Sequence, residues 1–140
     1  MNAIAQNMLA DLTDPQPVSR RKIWVGRIAT SLVSAFLLLD GAMKLALPAP
    51  VVKASLELGY PASSMLGIGV VLLLCTILYL IPRTAILGAI LLTGYLGGAV
   101  ATHVRVSAPL FNVLFPVITG CLVWTGLYLR DTRLRSLLAR

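Results

Sequence analysis

Asp40 and Lys44 are the residues of this chain best placed to do chemistry. They lie inside a long apolar run, where a charged side chain costs about 3 kcal/mol on insertion scales. Their i, i+4 spacing puts both on one helical face, with the acid N-terminal to the base, the favourable order for a pair. One reading is a structural ion pair at the end of a membrane helix, with Lys44 reaching to the headgroups. The other is a polar pocket, or a proton-accepting site, within the bilayer. His103, the single histidine, and Arg105 follow a later apolar run. An imidazole titrating near neutrality suits proton exchange with a quinone oxygen. At roughly 100° per residue, His103 falls about opposite Gly94 and Arg105 falls close to it. Arg105 is then the better pocket candidate, and an interfacial, water-facing role competes for His103. The expected ligand-binding set is Asp40, Lys44, His103 and Arg105, and no catalytic residue is assigned.

Gly94, Gly97, Gly98 and Ala101 form a small-residue stripe, with the Gly94-x-x-x-Gly98 spacing that lets helices approach closely in lipid. A packing face is expected there, within one bundle or across a homo-oligomer; bare backbone against a ligand is the alternative. Cys75 and Cys121 sit in apolar stretches with no metal-ligand spacing and read as small packing residues. One histidine cannot supply both axial ligands of a bis-histidine haem, and no haem-attachment, Walker, dinucleotide or zinc pattern occurs, so no metal site is expected.

The elements that must position these residues follow from composition. Of 140 residues, 58 % are hydrophobic and 12 % charged, with a mean hydropathy of +0.89; a soluble domain carries about a quarter charged residues. The chain is therefore read as a membrane protein, which excludes a soluble enzyme, a nucleic-acid reader and a disulfide-stapled secreted domain. Four apolar runs, 23–47, 63–81, 84–102 and 110–129, are each near or above the roughly 20 residues that span about 30 Å of hydrocarbon. They lack the alternation of barrel strands. The expected fold is all-α, a four-helix transmembrane bundle over 23–130. A cleavable signal peptide competes for the first run, but that run is long and carries Asp40 and Lys44. Pro116 removes a hydrogen bond to the carbonyl near Asn112 and predicts a kink. The loop between the first two runs, with Val51, Val52, Ser55, Leu56 and Leu58, predicts a short helix on the outer surface.

Residues 1–22 read as a polar cytoplasmic tail, with Ile4, Met8 and Leu12 at helical spacing, and 131–140 as a basic one. The net charge of +7 is distributed rather than general. Arg20, Arg21, Lys22, Arg27, Arg83, Arg130, Arg133, Arg135 and Arg140 gather on one side, against Lys44, Lys53 and Arg105 on the other. The positive-inside rule places both termini in the cytoplasm. Arg27, one turn into its helix, reads as an anchor in the headgroups, and the basic clusters also suit anionic lipid or an acidic partner. Trp24, Tyr79, Trp124 and Tyr128 fit a cytoplasmic aromatic belt.

Five segments in order then carry a resemblance: Gly41-Ala42-Met43-Lys44, Leu58-Gly59-Tyr60-Pro61, Pro82-Arg83-Thr84-Ala85, Tyr95-Leu96-Gly97-Gly98-Ala99 through His103, and Trp124-x-Gly126-x-x-Leu129-Arg130-Asp131. Over about residues 24–138 the chain resembles the DoxX-like family of small bacterial membrane proteins. The resemblance implies a four-helix inner-membrane protein serving a quinone-linked redox partner. It marks Arg27, Lys44, Tyr60, Arg83 and His103 as polar positions that match the family pattern. The expected function is an accessory subunit with a polar pocket in the outer half of the bundle, in contact with the bilayer and a redox partner protein, with quinone as the candidate cofactor and no nucleic acid. Proton-coupled or small-molecule transport, and a structural or assembly role, are the alternatives.

Overall fold

Lipid offers the backbone no hydrogen-bond partner, so each apolar run must satisfy its amides internally. The computed structural model describes residues 20–131 and 134–135, and among them there are helices and no strands. In chain order these are α1 (Arg20–Ala46), α2 (Ala49–Glu57), α3 (Ala62–Leu80), α4 (Ala85–Arg105) and α5 (Leu110–Arg130). The segment 1–19, with the spacing of Ile4, Met8 and Leu12, and all of the basic tail except Asp131, Leu134 and Arg135 lie outside the described residues.

Four helices, all but α2, are long and apolar enough to cross a membrane. The chain is a multi-pass membrane protein. Two boundaries differ by three residues from those the apolar runs predict, and the rest agree to within one. α1 begins at Arg20 rather than 23, and α4 continues to Arg105 rather than 102, because no breaker stands at either place and the helix runs on into the interface. Past Arg105, Ser107 takes a positive φ of 52°, and Pro109 then sets the start of α5. α5 stays helical through Pro116.

α1 packs against α3 and α5, and α4 packs against the same two helices. The bundle is thus a ring in the order α1, α3, α4, α5, with each neighbour antiparallel to the next. One end of the ring, the terminal end, carries the start of α1, the end of α5 and the α3–α4 turn; the other carries α2, which packs on α3. α2 starts after Pro48, and its end is turned by Gly59 at φ +79°.

Close helix approach goes through glycines other than the α4 stripe. A side chain at Gly88 would overlap the backbone of Tyr79, and one at Gly26 would overlap Leu129. Gly41 and Gly69 face each other between α1 and α3, and Gly126 lies against Thr30.

The apolar core fills the terminal half of the ring around Tyr79, Leu72, Leu92, Val123 and Leu127, all fully buried. Tyr79 donates its hydroxyl to the Val123 carbonyl at 2.9 Å and lies 3.4 Å from the Thr30 hydroxyl. Arg130 donates to the Tyr79 carbonyl at 2.6 Å, with its guanidinium 4.9 Å from the ring centroid. Thr84 donates to the Leu78 carbonyl at 2.8 Å. The last carbonyls of a helix have no partner within it, so Arg130 and Thr84 cap α3 where Pro82 ends it. Trp124 donates to Thr93 at 2.9 Å and joins α5 to α4. Cys75 is buried beside this core, whereas Cys121 is exposed.

Candidate functional site

The α2 half of the ring encloses a cavity of about 540 Å³, to which all five helices contribute. Its walls are mostly apolar: Leu37 from α1, Met65 and Ile68 from α3, Leu96 from α4, Pro116 from α5. α2 lies across its end and presents Val51, Ala54 and Ser55. Such a shape, apolar with a few convergent polar groups, is that of a small-molecule site.

Asp40 and Lys44 both face this cavity. Lys44 Nζ donates to both carboxylate oxygens at 2.5 Å. The side chains are 18 % (Lys44) and 37 % (Asp40) exposed, so the ammonium is the more withdrawn member. The pair carries no net charge into the cavity, and lone pairs of Asp40 and a hydrogen of Lys44 stay free to bond a neutral molecule.

His103 lines the cavity and Arg105 does not. The helical-wheel expectation favoured Arg105 because it took the glycine stripe as the centre of the pocket face. On α4 the lining instead runs from Gly94 and Gly98 through Thr102, Tyr95 and Ala99 to His103, roughly 180° of helix surface at 100° per residue. Its centre is near Tyr95, and the glycines are one edge. His103 Nδ1 is buried without a hydrogen-bond partner. Arg105 instead donates to the Leu58 carbonyl at 2.7 Å, where α2 ends, with its guanidinium 6.0 Å from the Tyr60 ring. The Tyr60 and Thr102 hydroxyls are 2.9 Å apart, and Thr102 also donates to the Gly98 carbonyl at 2.9 Å. Together Arg105 and Tyr60 fasten the α2–α3 connection to the end of α4.

Among the described residues, nothing covers the small-residue stripe. No atom of them beyond the helix's own backbone lies within 4 Å of where a side chain would begin at Gly94, Gly97 or Gly98, and Ala101 is exposed. Gly94 and Gly98 form bare backbone at the cavity's edge, while Gly97 and Ala101 face outward beside it.

A model of the DoxX-like family matches residues 28–126, a span that holds every residue of the cavity wall. The chain belongs to the DoxX-like family. Neither a curated protein nor a solved structure matches it. In this DoxX-like chain, of the polar positions marked by resemblance, Lys44, Tyr60 and His103 meet in the cavity. Arg27 lies 6.0 Å from the Trp24 ring at the terminal end, and Arg83 is exposed in the turn after α3. Among the described residues no group of three His, Cys, Asp or Glu side chains could hold a metal ion. Tyr95, Thr102, Ser55 and Thr119, none of them in the expected ligand-binding set, also line the cavity. Their signal was present on α4, where Tyr95 and Thr102 stand seven residues apart, on one face two turns from each other.

Proposed function

We propose that this DoxX-like protein is an accessory subunit of a quinone-linked redox system in a bacterial cytoplasmic membrane, with both termini on the cytoplasmic side and the cavity in the outer half of the bundle. The observation that carries the reading is the convergence of donors and acceptors, the charge-balanced Lys44–Asp40 pair, His103 and Tyr60–Thr102, on a mostly apolar cavity of about 540 Å³. The residues fit a quinone head: apolar walls for a flat ring, donors for carbonyl oxygens, and an unpartnered imidazole nitrogen at His103. When bound, a quinone supplies two-electron, two-proton chemistry at its two oxygens. Lys44 would donate a hydrogen bond to one oxygen, with Asp40 holding the ammonium in place and cancelling its charge. His103 Nδ1, buried and unpartnered in the wall, would be the group on this chain that holds or passes a proton, and the electrons would come from the partner protein. The basic charge of the terminal end supports the orientation: Arg20, Arg21, Lys22, Arg27, Arg83 and Arg130 gather there.

The test is native mass spectrometry of the protein released gently from its own membranes, with extracted small molecules identified. A stoichiometric quinone, lost in Lys44→Met with the bundle still folded, is the expected result. Lipid and a stable protein partner without quinone would instead establish an assembly role. Absence of both, with proton-gradient-dependent uptake in vesicles, would establish transport.

A further inference from the structure

Which molecules reach the cavity depends on where its wall is open, and the structure distinguishes the two ends of that path. Toward the aqueous end, α2 lies across the cavity, and its C-terminal connection is fastened to α4 by the Arg105–Leu58 and Tyr60–Thr102 hydrogen bonds. The exposed lining residues are Phe36, Gly94, Gly98, Phe115 and, on α2, Ala54. Four of these five are in spanning helices. Between α1 and α5 the wall is closed by Phe36 and Phe115, whose rings meet edge to face with centroids 5.3 Å apart. At Gly94 and Gly98 nothing among the described residues, beyond the helix's own backbone, stands within 4 Å of either side-chain position. At about 1.5 Å per residue, Gly98 lies roughly 10 Å and Gly94 roughly 16 Å below Arg105, at the depth of the hydrocarbon.

We propose that the cavity is loaded sideways from the bilayer, across the bare backbone of Gly94 and Gly98, and takes a membrane-dissolved amphiphile with an uncharged polar head rather than a water-dissolved solute. The head fits the neutral Lys44–Asp40 pair, since a charged head would enter a cavity that offers it no net countercharge. An apolar tail would leave across the rim, where Gly97 and Ala101 continue the shallow strip along α4. The inference builds on the reading of the cavity as a ligand site, but it does not require the ligand to be a quinone.

The experiment photolabels the full chain in phosphatidylethanolamine and phosphatidylglycerol vesicles with two carbene precursors, an alkyl diazirine that partitions into the bilayer and a charged, water-soluble diazirine, and maps insertion to single residues. The alkyl reagent is expected to mark Tyr95 and Ala99 in the cavity as well as lipid-facing Leu32 and Leu66, and the charged reagent to leave Tyr95 and Ala99 unmarked. In Gly94→Leu/Gly98→Leu, whose new side chains point into open space, alkyl labelling of Tyr95 and Ala99 should fall about tenfold, as two leucines must both leave their rotamers for passage. Labelling of Leu32 and Leu66 should not change. Equal marking of Tyr95 and Ala99 by the charged reagent in the unmodified protein, or undiminished alkyl marking in the folded variant, would overturn lateral loading. The unmodified chain answers the first question even if the variant fails to fold. Quinone content is read separately by mass spectrometry, so a failed quinone assignment and a failed route give different results.

Discussion

Replacing Asp40 and Lys44 singly and together separates what the pair does for the fold from what it does for a ligand. Lys44→Met removes the ammonium from both carboxylate oxygens it now bonds and leaves Asp40 facing an apolar cavity on a short side chain. Removing one member of a fully buried pair costs about 3–5 kcal/mol. Here Asp40 is 37 % exposed, and solvent screening reduces the expected loss to about 1–2 kcal/mol. Asp40→Leu should cost less, below about 1 kcal/mol, because the lysine stem can carry its charge out to the headgroups. The double variant replaces ions with apolar groups of similar size and should regain most of the stability. The cycle should then give a coupling of about 1–2 kcal/mol. The assay is equilibrium unfolding in mixed micelles, followed by helical circular dichroism, with small-molecule content measured on the same samples. A double variant that is as stable as the parent and has lost its ligand assigns the pair to binding. Single costs that simply add would refute the claim that the ions hold each other. A stable double variant that retains its ligand would refute the pair's part in the cavity.

Three further outcomes follow from the packing. Tyr79→Phe deletes the bond to the Val123 carbonyl and the contact with Thr30 and should lower stability by about 1–2 kcal/mol in the same micelle assay. Gly88→Ala, whose side chain would overlap the Tyr79 backbone, should cost about 1–3 kcal/mol, whereas Gly97→Ala meets nothing and should be neutral or raise stability by up to about 1 kcal/mol. An equal loss for the two would contradict the assignment of close contacts. Arg105→Ala frees the Leu58 carbonyl and should speed amide exchange in 51–60 without changing exchange in 72–79; unchanged rates across α2 would show that the arginine does not fasten it.

Much of the architecture was legible in the sequence because lipid leaves few choices. The four runs had the length of a bilayer and the short turn at Pro82 forced antiparallel neighbours, while Pro48 and Gly59 bracketed α2. The Asp40–Lys44 pair was legible too, since i, i+4 contact is local. What required the third dimension was the rotation of α4. Small residues show where a helix can be approached, but they do not reveal which side its neighbours occupy; Gly94 and Gly98 turned out to be an edge and His103 part of the wall. Likewise Gly26, Gly69 and Gly88 have no motif of their own, and their role is set by what lies on the opposing helix. Tyr79 read as an interfacial aromatic because it stands near a helix end. It is fully buried because Arg130 and Val123, both distant in sequence, satisfy its polar atoms.

That arrangement divides the bundle mechanically. The Tyr79 side chain touches α1 at Thr30 and α5 at Val123, and its backbone meets Arg130 and the bare backbone of Gly88 on α4, so one residue joins all four spans at the terminal end. At the opposite end α1 and α3 stay in contact at Gly41 and Gly69, and Arg105 and Thr102 tie α4 to the α2–α3 connection around the cavity. Because the contacts that set the register of the spans sit at the terminal end, the space taken by the cavity at the other is space the fold does not need filled.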